Sequence, residues 1–176
     1  MAMKIIQKKI CLLGAFAVGK TSLVRRFVEG RFDEKYLSTV GVSVSRKSLD
    51  RNGHQLNLLL WDMVGGTEMS HRETGYLVGA AGALIVCDLT RSTTLDAMAQ
   101  YARQMRVLNP RSALVFVGNK ADLTADRVIT DAQLLDISHS FQSGYYITSA
   151  KTGSHVEAAF ANLADRLEGR DDNTTT

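Results

Sequence analysis

The chain has 176 residues, 45% of them apolar, with fourteen glycines, one proline and a net charge of +3. That is enough apolar material for one large core. The basic residues are scattered rather than interleaved with aromatics along one stripe, which excludes a nucleic-acid partner as the reading of the charge.

Cys11 and Cys87 each sit inside an apolar run, KKICLLG and ALIVCDLT, with no companion at metal-ligand spacing. Both are expected to be buried, reduced thiols of a cytoplasmic protein. No apolar stretch reaches the length of a membrane span, and the opening MAMKIIQKK lacks the apolar segment of a signal peptide. Ala2 stands where N-myristoylation needs glycine, and NTTT holds no cysteine for prenylation, so no direct lipid anchor is expected. The polar GRDDNTTT stretch reads as disordered, which gives one domain over 1–169 and a tail over 170–176.

Along the chain, Ile5 to Leu13 form an apolar strand-like run, followed from about Gly19 by Leu23, Val24, Phe27 and Val28 at helical spacing. Val42 and Val44 alternate with polar residues, Asn52-Gly53 marks a tight turn, and Leu56, Leu58 and Leu60 alternate after it, which predicts a β-hairpin. Ala83 to Cys87 and Ala113 to Val117 read as buried strands. Between them Leu95, Met98, Tyr101, Met105 and Leu108 share one helix face, closed by Pro110. Thr130 and Gln133 form a capping box ahead of Leu134, Ile137 and Phe141. Tyr145 to Ile147 supplies a last short strand, and Val156, Phe160, Leu163 and Leu167 the stripe of a final helix. Strands alternating with helices, with a single hairpin, predict a mostly parallel sheet covered on both faces, with ligand chemistry at the strands' carboxyl ends.

GAFAVGKT, Gly14 to Thr21, follows a strand, opens a helix and fits the spacing of a phosphate-binding loop. Its glycines let backbone N–H groups turn inward on phosphate oxygens, helped by the helix N-terminus. The candidate contacts are Ala15, Phe16, Ala17, Val18, Gly19, Lys20, Thr21 and Ser22. Lys20 supplies charge to the β- and γ-phosphates, and Thr21 offers a hydroxyl to Mg²⁺. Asp62, after the strand ending at Trp61, is placed to hold a water on the same metal.

VGNKADL puts Asn119, Lys120 and Asp122 just past a buried strand. Guanine shows N1–H and an exocyclic amine side by side, and the Asp122 carboxylate can accept both. Adenine would leave it unpaired. Lys120 can lay its alkyl chain on the base. A backbone N–H in the later loop Ser149, Ala150 and Lys151 can donate to the guanine O6 atom.

With GAFAVGKT, STVG, WDMVGG, NKAD and SAK in this order and spacing, the chain resembles the Ras superfamily of small GTPases, in its Rab-like branch, over nearly the whole length. The resemblance implies an α/β P-loop NTPase with a six-stranded, mostly parallel sheet, one antiparallel hairpin strand and about five helices on both faces. It implies a monomeric switch that binds GTP or GDP with Mg²⁺, and hydrolyses GTP. Exchange factors and effectors would dock on residues 32–45 and 63–78. Thr39 corresponds to the switch threonine that ligates Mg²⁺ and touches the γ-phosphate, Phe32 to the aromatic beside the base, Tyr36 to the one closing over the phosphates, and Gly65 to the glycine whose N–H reads the γ-phosphate.

Two departures bear on catalysis. Gly66 stands where the family has the glutamine that orients the attacking water, and Thr67 and Glu68 follow it. Phe16 places a ring beside the γ-phosphate, where it should obstruct an arginine from an activating protein, a contribution of about 4 to 7 kcal/mol when present. Slow intrinsic hydrolysis is expected. The alternative is a GTP-bound interaction scaffold that hardly hydrolyses at all.

Overall fold

The computed structural model describes residues 3–35, 39–66 and 71–169. Tyr36, Thr67, Glu68 and the tail over 170–176 lie outside the described residues. Six strands, β1 (Lys4–Leu13), β2 (Val42–Arg51), β3 (His54–Met63), β4 (Gly82–Asp88), β5 (Ala113–Asn119) and β6 (Tyr145–Ile147), form one sheet in the order β2-β3-β1-β4-β5-β6. Only the β2–β3 pairing is antiparallel; the rest are parallel, as the hairpin and the alternation predict. The helices are α1 (Lys20–Glu29), α2 (His71–Leu77), α3 (Thr93–Leu108), α4 (Asp131–Ser140) and α5 (Val156–Leu167).

Because successive strand side chains point to opposite faces, each buried strand feeds two cores. Ile10, Leu12, Leu84, Val86, Val115 and Val117 pack with α1 and α5 on one face, where the Phe27 and Phe160 rings stack with centroids 4.0 Å apart. Cys11, Leu13, Ile85, Cys87, Leu114 and Phe116 pack with Leu77 of α2, Met98, Tyr101 and Met105 of α3 and Leu134 of α4 on the other. Both thiols are therefore core side chains, and burial pushes each up to about 12, so they stay protonated. Among the described residues no helix is long and apolar enough to cross a membrane.

Three strands run past the predicted boundary at the carboxyl edge. β3 continues through Asp62 to Met63, β4 to Asp88, and β5 through Gly118 to Asn119. Asp62 pairs with Leu12 and Ser43, and Asn119 with Asp88. Backbone pairing carries the strands past the last apolar side chain and delivers polar groups, still on rigid sheet, to its carboxyl edge. The capping box of α4 is present, with the Thr130 hydroxyl accepting from Gln133 N at 3.2 Å and Thr130 N donating to Gln133 Oε1 at 2.9 Å.

Candidate functional site

At the carboxyl edge a cavity of about 480 Å³ opens between the first loop, the segment after α1, the end of β3 and the loops after β5 and β6. The sequence-selected residues Phe16, Ala17, Gly19, Lys20, Thr21, Ser22, Phe32, Thr39, Gly65, Asn119, Lys120, Asp122, Ala150 and Lys151 all line it. Ala15, Val18, Asp62 and Ser149 stand behind this lining: Val18 is in the core, while Asp62 and Ser149 are buried polar groups one layer back.

The loop Gly14–Gly19 curls around Lys20, whose ammonium donates to the carbonyls of Gly14 and Ala15 at 2.9 Å each. Lys20 is only 6% exposed. Burial lowers it to about 8, with Asp62 opposing the fall and Arg91 adding to it, so it remains an ammonium at neutral pH. Gly19 has φ 102°, and a Cβ there would stand 2.3 Å from Asn119 Nδ2. Glycine is thus required both by the backbone and by the amide pressed against it. Phe16 holds its ring half exposed. Ala17 and Lys120 adopt left-handed backbone at φ 61° and 70°. Strain of this kind concentrates where loops are fixed for binding.

Beneath the loop three oxygens converge. The Thr21 hydroxyl lies 2.8 Å from the Thr39 hydroxyl and donates to Asp62 Oδ2 at 2.5 Å. Asp62 Oδ1 is buried and has no partner. Burial raises the Asp62 carboxyl, and the Thr21 hydroxyl and Lys20 offset part of the rise. Gly65 lies against the first loop: a Cβ on it would stand 2.5 Å from the carbonyl of Ala15 and 2.6 Å from Lys20 Nζ. The next residue, Gly66, has both backbone groups on the Tyr101 hydroxyl, its N–H donating at 3.2 Å and its C=O accepting at 2.8 Å.

The opposite end of the cavity is organised by Asn119. Its Nδ2 donates to Val18 O at 3.0 Å, and its Oδ1 accepts from the Thr148 hydroxyl at 3.1 Å and from Ala150 N at 3.2 Å. Of the backbone N–H groups in the loop Ser149, Ala150 and Lys151, that of Ala150 is turned to Asn119 and that of Ser149 donates to Ser154 O at 3.1 Å. The Ser149 hydroxyl donates to Asp122 Oδ1 at 2.6 Å. Arg26 of α1 holds the same loop through Ala150 O, at 2.8 Å, and Lys151 O.

Sequence reasoning missed Asp88, Arg91 and Tyr101. Asp88 is 1% exposed and ion-pairs with Lys120 at 2.6 Å and Arg91 at 3.1 Å, while Arg91 also donates to Phe16 O at 2.6 Å. Burial would raise the Asp88 carboxyl, but hydrogen bonds from Lys120 and Thr90 outweigh it and hold the group below the ordinary carboxylate range. An aspartate ending a buried strand at the ligand-facing edge was the available signal for Asp88. Tyr101 gave none, because in the α3 stripe it counts as core.

The sequence model described as the Ras family matches residues 9–169. Among curated relatives, the Ras-related protein Rab-22A of Mus musculus is 33% identical over 172 residues, covering 97% of this chain and 89% of its own. Rab-21 of Geodia cydonium is 33% identical over 163 residues, covering 92% and 71%. Rab-1A of Dictyostelium discoideum is 31% identical over 163 residues, covering 92% and 81%.

Proposed function

The chain belongs to the Ras family and is a Rab-like, GTP-binding molecular switch of the GTPase class; on that premise we propose which of its residues carry the switch and how far it turns over. The observation that carries the reading is the Thr21 hydroxyl bridging the Thr39 hydroxyl and the Asp62 carboxylate, beside a buried Lys20. Two hydroxyls and a carboxylate are hard oxygen donors, and among the described residues there is no cluster of three or more histidine, cysteine, aspartate or glutamate side chains. Such a set suits Mg²⁺, which takes few protein ligands and completes its octahedron with phosphate oxygens and water. The unpartnered Asp62 Oδ1 fits a carboxylate that accepts from a metal-bound water. Thr21 and Thr39 would bind the ion directly and Asp62 through water. When bound, the ion offsets the negative charge on the β- and γ-phosphates.

The protein's own groups do the rest. The amides from Ala15 to Ser22 cradle the phosphates, and Lys20 carries its ammonium to the β- and γ-oxygens. The Gly65 N–H reads the γ-phosphate, so Thr39 and Gly65 distinguish triphosphate from diphosphate. Asp122 accepts from guanine N1–H and its amine, held by Ser149. Phe32 and Lys120 flank the base, Asn119 ties base loop to phosphate loop, and Ala150 shares its N–H with O6. The described part of this unit, with Tyr36 expected to close it, forms one nucleotide-binding domain over 1–169 in a cytoplasmic, monomeric protein. Exchange factors and effectors meet it through 32–45 and 63–78, where Val40 is 91% exposed and Val44 half exposed.

Hydrolysis is slow, because Gly66 has no side chain to orient water. That same feature favours a second reading, a scaffold that stays GTP-bound. Release of the copurifying nucleotide and its chromatography, followed by a single-turnover time course, tests both. GDP or slow conversion of GTP is expected. Unchanged GTP over many hours supports the scaffold, and adenine nucleotide overturns the base assignment.

A further inference from the structure

The segment Val64–Gly66 is fastened at both ends. Val64 N donates to Gly41 O at 3.1 Å, which ties it to the start of β2. Gly66 is held by Tyr101, whose hydroxyl both accepts from its N–H and donates to its C=O. Between them Gly65 lies so close to Ala15 and Lys20 Nζ that no Cβ fits.

A phenol is suited to the second anchor because one hydroxyl can donate and accept at once. Tyr101 is 4% exposed on α3, and burial holds its phenol above its ordinary value, so the proton needed for donation stays on it. The ring is locked among core side chains of the α2–α4 face. Its anchor is therefore a rigid helix, whereas what it grips is a glycine pair with no side chain of its own to fix it.

We propose that Tyr101 is the positioning residue of this switch, taking over through the Gly66 backbone the task of holding the Gly65 N–H over the γ-phosphate. The inference rests on the nucleotide-site reading above. It gives the Gly65–Gly66 pair a defined place without a side chain at position 66, and it makes the GTP-specific conformation depend on one hydroxyl outside the nucleotide pocket.

Tyr101→Phe removes that hydroxyl and keeps the ring. With two hydrogen bonds lost only where the segment is docked, affinity for a non-hydrolysable GTP analogue should fall about five- to tenfold while GDP affinity holds. The Gly66 amide, in the complex with the analogue, should lose hydrogen-exchange protection, with β4 amides unchanged. Equal loss for both nucleotides, together with a lowered unfolding temperature, would mean that Tyr101 only packs the core and would overturn the proposal. So would an unchanged ratio of affinities with Gly66 still protected. If the unaltered protein binds neither guanine nucleotide, the underlying site assignment falls, and this proposal with it.

Discussion

The two ends of the cavity are built differently. At the base end the polar side chains assigned to guanine are wired to the scaffold: Asn119 makes three hydrogen bonds, Ser149 fixes Asp122, Asp88 fixes Lys120, and Arg26 fastens the loop after β6. At the phosphate end, among the described residues, the hydrogen bonds that hold Thr39 and the Val64–Gly66 segment come from the Thr21 hydroxyl, Gly41 and Tyr101. The difference follows from what each end must do. Base identity never changes, so its reader gains from being preorganised. The γ-phosphate comes and goes, so its reader needs two positions separated by little free energy.

The sharpest break in this contrast should come from Asp122→Asn. A preorganised carboxamide opposite guanine N1–H presents the wrong charge and, in part, the wrong donor, so guanine affinity should fall by about two to three orders of magnitude. Xanthine, with a carbonyl in place of the amine, should gain. Competition between GDP and XDP measured by fluorescence displacement reads both. Equal affinities before and after would show that Asp122 faces solvent and that the base end is not wired for guanine.

A smaller effect is expected one layer back, at Asp88. This carboxylate spans both ends, holding Lys120 on the base side and, through Arg91, the Phe16 carbonyl of the phosphate loop. Asp88→Asn leaves two partly exposed cations without their counter-charge, so the cost should be about 1 to 2 kcal/mol, discounted for their access to water. Because folding holds this carboxyl below its ordinary value of 3.8, the unfolded chain binds more protons in the range between the two values. The stability it contributes is therefore complete above the ordinary carboxylate range and is lost as pH falls through the folded value. Urea titrations of both proteins should differ at neutral pH and converge on acidification. A gap that persists in acid would assign the loss to packing instead of charge.

The same contrast governs what was legible in the sequence. The phosphate loop and NKAD are contiguous, and their chemistry is local, so Lys20, Thr21, Asn119 and Asp122 fall into place without knowledge of the fold. The two-faced core was also readable, since alternation in buried strands needs only neighbours in sequence. What escaped is nonlocal or featureless. α2 carries Gly75 and a single buried residue, Leu77, in seven, too little for a helical period. Asp88 acts through residues 91 and 120, and Tyr101 through residue 66, partners that only the folded sheet brings near. Asp62 and Asn119 were placed just beyond their strands because an apolar-run criterion ends where side chains turn polar, although backbone pairing continues.

The smallest expected effect concerns turnover, and it separates holding the switch from using it. Gly66→Gln restores a side chain able to orient water, on a backbone that Tyr101 already fixes. Affinity should be unchanged, since in the proposed site the loop amides and Lys20 hold the phosphates, whereas single-turnover GTP hydrolysis should rise about three- to tenfold. The gain should stay modest because Phe16, half exposed in the cavity lining, would on the proposed reading still shield the γ-phosphate. Adding Phe16→Gly should therefore increase the rate further, and more when an arginine-bearing activating protein is present. If the unaltered protein already hydrolyses GTP as fast as the double variant, another group orients the water. Glu68, or His71 at the start of α2, is then the residue to remove next, and the phosphate end would prove as fully equipped as the base end.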